Sequence, residues 1–164
     1  MPNEAGLNPN KIENGLKELA TLGEGGVQEL SWDNFCDVIH DYASDMIYPP
    51  PTGVPIGIIA MKKQLSSITF LTGTIVPVLL PIAFQTLVWP IALGAPMGLS
   101  LAFPTQPPPG APAIASLLAQ PNELDYYASE MARQIDNWIR KGQYDAFGIP
   151  PGANPGVPGV VPWM

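Results

Sequence analysis

The sequence predicts a mainly α fold with extensive irregular Pro/Gly-rich backbone, in which amphipathic helices flank a long uncharged apolar segment. Three observations lead there. Apolar residues recur at the helical period in three separate stretches, near 11–22, 32–47 and 123–141. No charged residue occurs from Gln64 to Asn122. The 164 residues include 21 prolines and 16 glycines, without the strict glycine period of collagen.

The first element is a short helix from about Lys11 to Leu22. Asn8-Pro9 supplies a cap and a proline compatible with a helix start. Ile12, Leu16 and Leu19 share one stripe, and Glu13 and Lys17 form an i,i+4 pair in the favourable order. Gly23 and Gly25-Gly26 end it.

The second helix runs from about Trp32 to Ile47, with Ser31 as its cap. Trp32, Phe35, Cys36, Ile39, Ala43, Met46 and Ile47 follow the helical period. Asp33, Asp37, Asp41 and Asp45 recur every fourth residue on another face. Pro49-Pro50-Pro51 cannot continue this helix.

Residues 49–61 read as a Pro/Gly-rich apolar entry, and Lys62-Lys63 is the last charge before the neutral middle. That middle divides at Pro77, Pro81, Pro90 and Pro96, each of which removes a donor and disfavours helix in the residue before it. Short kinked helices and extended strands both fit. Thr69, Thr72, Thr74, Ile75, Val76 and Val78 lend the first half strand character.

Residues 104–121 read as a linker, with Pro107-Pro108-Pro109 in polyproline II as a stiff spacer. The third helix spans Glu123 to Lys141, capped by Asn122 and stopped by Gly142. Acids sit at its positive end, and Arg140 and Lys141 at its negative end. Leu124, Tyr127, Ala128, Met131, Ile135, Trp138 and Ile139 make its apolar face. The chain therefore divides into two amphipathic helices (1–48), an uncharged apolar segment and linker (49–121), a further helix (122–142) and a Pro/Gly-rich tail (143–164).

Composition narrows function. Net charge is −7, and the seven Lys and Arg residues form no patch, so nucleic-acid binding lacks its basic footprint. Charged residues make up 13% of the chain, about half the ~25% usual for soluble domains. Cys36 is alone, so no intrachain disulfide is expected. The polar beginning, MPNEAGLNPNKIENG, does not read as a secretory signal.

Chemistry is sparse. Asp33, Asp37, His40 and Asp41 share one helix, whereas a hard-cation site needs oxygen ligands converging from several elements. We read that surface as a solvated acidic face or one that meets a basic partner. Cys36 and His40 lie one turn apart, and a thiol–imidazole dyad would need an orienting group that is not evident. No phosphate-loop, dinucleotide, nucleophile-elbow or zinc-helix motif occurs. We expect no catalytic, cofactor-binding or metal-binding residues.

The apolar middle leaves two environments. From Ile68 to Trp89 its length suits a span of ~20 residues, with Lys62-Lys63 before it and Trp89 near the far interface. Against this, Pro77 and Pro81 free carbonyls that hydrocarbon cannot satisfy. Burial against other protein chains is the alternative, since obligate interfaces resemble cut-open cores. We therefore expect a non-enzymatic structural subunit of a large multi-protein assembly, a virion component, with other chains of that assembly, its own copies included, as partners. The runner-up is an integral membrane or membrane-perturbing protein with a Pro-kinked span near 68–89. An enzyme using Cys36 and His40 comes third. The residues expected at the interface are Trp32, Phe35, Ile39, Val78, Leu79, Leu80, Phe84, Trp89, Tyr127, Met131, Trp138 and Trp163.

Overall fold

Asn8 starts the first helix as its residue type predicts. Its Oδ1 accepts the Asn10 amide at 3.0 Å, and its carbonyl accepts the Lys11 amide at 3.1 Å. A computed structural model describes residues 6–22, 32–47, 49, 51–65, 76–94, 106–114, 124–145 and 160–164. Helix α1 is Pro9–Leu22, two residues longer at its start than expected, because Pro9 needs no amide partner in a first turn. Ile12 and Leu16 are buried, and Lys17 Nζ reaches Glu13 at 4.0 Å as the i,i+4 spacing requires.

Helix α2 is Trp32–Ala43, four residues shorter than expected. Ser44 ends it. Its hydroxyl and its amide both donate to the His40 carbonyl, at 2.7 and 2.9 Å. Beyond that turn, the Ile47 amide donates to the Met164 carbonyl at 2.7 Å, a tertiary bond that replaces a helical one. The cap assigned to Ser31 lies outside the described residues, as does Asn122.

The next stretch corrects the sequence reading. Residues 49–61 were expected to be an irregular entry, yet a 3-10 turn at Pro51–Gly53 leads into helix α3, Val54–Leu65. Pro55 sits in the first turn, where amides have no intrahelical acceptor, so it starts the helix instead of breaking it. Val54, Gly57, Ile58, Met61 and Leu65 are buried at helical spacing.

Helix α4, Val76–Gly94, corrects a second expectation, since Pro81 and Pro90 lie inside it and break nothing. Each interior proline costs about 3 kcal/mol. Against that, Leu80, Phe84, Leu87, Val88 and Ile91 are buried on one face, worth roughly 1.5–3 kcal/mol each. Burial wins, and the helix is held by packing. Val76 and Val78, read as strand-like, are helical. The rest of that strand-like run, residues 69–75, lies outside the described residues, as does Pro96.

Helix α5 is Leu124–Ile139. It is followed by strand β1, Gln143–Asp145, which pairs antiparallel with β2, Val160–Pro162, so that Gln143 faces Pro162. Gln106 bridges to Gln143 on the same ribbon. The architecture is mainly helical. α1 packs on α2 and α5, α2 on α3, and α3 on α4. One hydrophobic core joins them all, with Phe84 edge-on to both Trp138 (5.4 Å) and Phe35 (6.3 Å).

The proline run is bound into this body. Gln85 Nε2 donates to the carbonyls of Pro108, at 3.1 Å, and Gly110. Trp138 Nε1 donates to the Pro109 carbonyl at 2.9 Å. Pro108, Pro112 and Ile114 are buried. Residues 106–114 thus form a strap across α4 and α5. Its carbonyls, which proline leaves free of any ladder, are satisfied by side-chain donors.

Candidate interaction surface

Most residues expected at an interface are used inside the chain. Phe35, Ile39, Leu80, Phe84, Met131, Trp138 and Trp163 are all buried in the core. The physical reason is common to the helical ones. A helical apolar stripe declares that a face is covered, and for these six residues the covering partners are elements of the chain itself, while Trp163, just after β2, is buried against Gly142. Tyr127 is half-buried. The side chains of Trp32, Val78 and Leu79 lie outside the described residues. Among the members whose side chains are described, Trp89 alone is exposed, at 49%.

Around Trp89 a different surface gathers. α3 and α4 pair closely because Gly53 and Gly57, four residues apart, carry no Cβ. A Cβ there would fall 2.2 Å from the Pro90 oxygen and 2.3 Å from the Leu87 oxygen. The buried positions of both helices point to the core, so the opposite stripes face outward together. On α3 these carry Ile56 and Ile59, 63% and 68% exposed; on α4 they carry Ile82, Trp89 and Leu93, at 44%, 49% and 78%. Between Met46 and Asn122 the only charges are Lys62 and Lys63. Lys62 donates to Asp37 of α2 at 2.7 Å. The outer stripe of α4 carries no charge, and that of α3 carries one, Lys63, a turn beyond Ile59.

A groove of about 520 Å³ runs along this face of α4, lined by Pro81, Ile82, Gln85, Thr86, Trp89, Pro90 and Gly110. Its floor is pre-organised. Trp89 Nε1 donates to Gln85 Oε1 at 3.1 Å, while the other end of Gln85 holds the strap. The indole is therefore tied through one amide to the proline strap, which reduces the entropy it would lose on binding. Sequence reasoning missed Ile56, Ile59, Ile82, Gln85 and Leu93. The signal available was Gly53-x-x-x-Gly57 in an apolar run, which marks two backbones in close approach.

The acidic stripe of α2 is partly neutralised within the chain. Asp37 pairs with Lys62 and Asp45 with Lys11, while Asp33 and Asp41 are exposed. Among the described residues no group of three or more His, Cys, Asp or Glu gathers to hold a metal. A buried polar network lies elsewhere. Asp136 accepts the Tyr42 hydroxyl at 2.7 Å and Arg140 Nε at 2.9 Å, and Arg140 also donates to the Leu7 carbonyl at 2.8 Å. This network ties α2, α5 and the segment before α1 into one unit, with every member paired. Burial first, then the bond to Asp136, pushes the Tyr42 hydroxyl pKa up.

Cys36 is wholly buried on α2. Burial pushes its thiol from 9.0 up to about 12; Lys62 opposes this, while Asp33 and Asp37 add to it. The thiol is thus neutral at neutral pH, whereas the nucleophile in thiol chemistry is the thiolate. Two outcomes are expected. Cys36 should resist a disulfide-exchange reagent at pH 8 in the native protein and react at once in guanidinium. The folded state also holds this proton more tightly than the unfolded state. Its contribution to stability is complete below pH 9 and lost as pH rises through about 12. Cys36→Ser should flatten that alkaline loss in urea titrations; native labelling at pH 8 would show the site open.

Among the described residues, no helix is long and apolar enough to cross a membrane; α4 covers 76–89 of the span expected near 68–89. No protein-family model, curated protein or solved structure matches this chain.

Proposed function

We propose that this chain is a non-enzymatic structural subunit of a large multi-protein assembly, a virion component, and that it meets its neighbours through the outer face of the α3–α4 hairpin. The observation that carries this reading is the exposed apolar face of Ile56, Ile59, Ile82, Trp89 and Leu93, bordered by Lys63 at the end of α3. Scattered exposed apolar residues are ordinary, but two adjacent stripes on paired helices form a patch of the kind that marks an interaction site. The long uncharged middle of the sequence supports the same reading, because a subunit covered by neighbours needs few charges there for solubility. The particle setting rests on composition: an acidic, proline-rich chain with no catalytic motif.

A second reading has its own support. α3 and α4 are apolar on nearly every side, and a small-xxx-small pair such as Gly53/Gly57 is a device of membrane helix packing. In that reading the hairpin enters a lipid surface. Fractionation of the native source separates the two. The chain is expected to sediment with a particle and to leave membranes on alkaline washing. Retention by washed membranes would favour the lipid reading, and migration as a free 17.5 kDa species would defeat both.

A further inference from the structure

We infer that the outer face of the α3–α4 hairpin is covered by a second copy of this chain, paired across a two-fold axis near Trp89. This deepens the assembly reading and rests on it, naming the first contact such an assembly would make.

The face carries both halves of a self-complementary contact. The α4 groove is centred level with Gln85 and Thr86. Leu93, the most exposed of the large apolar residues at 78%, stands about two turns further along the same stripe, roughly 11 Å away at 1.5 Å per residue. Two α4 helices laid antiparallel, with the axis midway at Trp89, bring each Leu93 over the other copy's groove. Trp89 then meets its own twin. A two-fold contact demands this reciprocity, with the same patch serving as donor and receiver.

Area and charge fit the same occupant. The five exposed residues present about three full side chains' worth of surface, on the order of 500 Å² at the ~150–250 Å² scale of a large side chain. Two copies double this, and the rim of Pro55, Pro81, Thr86 and Pro90 brings the pair near the ~1,200 Å² at which stable interfaces begin. The acidic residues all lie outside the face, and its one cation among the described residues, Lys63, stands a turn beyond Ile59 at the far end of α3 from Gly53. Trp89, already fixed through Gln85 to the strap, has the residue type and the restraint of an interface anchor.

The test is sedimentation equilibrium of the full chain from about 1 to 100 μM, beside Leu93→Arg and, as a surface control on α2, Asp33→Lys. The wild type and Asp33→Lys are expected to be dimers. Leu93→Arg is expected to be a monomer with unchanged far-UV circular dichroism. Because the change occurs twice per dimer, a hot-spot loss of roughly 30-fold per copy weakens pairing by about 1,000-fold. A monomeric wild type overturns the proposal, as does a dimer that Leu93→Arg leaves intact, or binding of the monomer to phosphatidylcholine vesicles through this face. The two readings fail separately. A monomer that still sediments with a particle from the native source refutes self-pairing alone. A dimer sensitive to Leu93→Arg that belongs to no particle refutes the assembly reading alone.

Discussion

Gly57→Ala should destabilise the fold by roughly 2 kcal/mol, although alanine is the better helix former. In an open helix the substitution would gain about 1 kcal/mol from propensity. At position 57, however, the new methyl would stand 2.3 Å from the Leu87 carbonyl oxygen, with the Leu87 carbonyl carbon at 3.1 Å behind it. Backbone atoms cannot turn aside as a flexible side chain can. The two helices must part, and with them the contacts of Ile58, Met61, Leu87 and Ile91, all buried between the hairpin and the core. Overpacking of this kind costs about 1–3 kcal/mol and sometimes more, so the steric term exceeds the propensity term. Urea unfolding should show a lower midpoint at an unchanged slope. A gain of stability would mean that α3 and α4 do not approach as closely as the glycines allow.

Trp163→Ala should cost about 3–5 kcal/mol, the range for removing a large aromatic from a core. Trp163 is fully buried and lies flat against Gly142, where a Cβ would fall 2.6 Å from the indole. Its Nε1 donates to the Gln143 carbonyl at 3.2 Å, and its amide donates to Gly142 at 3.1 Å. The loss therefore combines a cavity with one side-chain hydrogen bond, since the backbone bond to Gly142 remains and the Gln143 carbonyl keeps the Gln106 amide. The thermal midpoint should fall by roughly 6–20 °C, taking ~2–4 °C per kcal/mol for a chain of this size. A shift of only a degree or two would show that the β1–β2 ribbon opens independently of the helical core.

The two variants mark where sequence reasoning reached and where it stopped. α1, α2 and α5 were legible because each has one apolar face and one charged face. The charged residues make the period visible. α3 and α4 were not, because they are apolar on both sides. Ile56 and Ile59 point outward with side chains no less hydrophobic than Ile58 and Leu65, which point inward, so the pattern carries no period to read. Prolines compounded the difficulty. Pro55 and Pro81 are the same residue, yet one occupies a first turn at no cost and the other an interior turn that only packing maintains. The tail was read only as a Pro/Gly-rich segment, with no element assigned to it. Its Val160–Pro162 strand and Trp163 exist because Gln143 and Gly142 lie ready to receive them.

The candidate site shows the same division. Trp89 could be singled out as a large aromatic in an uncharged run, but so could Trp138 and Trp163, and nothing local separates an anchor from a core residue. What separates them is which face of the hairpin turns to the core.

By itself the amino-acid sequence determined that this chain is mainly helical, acidic outside a charge-free middle and short of chemical motifs, because periodicity and charge are properties of residues near one another along the chain. The tertiary structure alone decided that the middle forms a hairpin of close-packed helices, that the proline run is a strap, and that the exposed apolar face lies beside Trp89 while Trp138 and Trp163 are interior. Those outcomes depend on contacts between distant segments. Gly57 meets Leu87 and Trp138 meets Pro109 only after folding, and although Gly53-x-x-x-Gly57 marks a close approach, nothing in the local pattern names the partner remote in sequence.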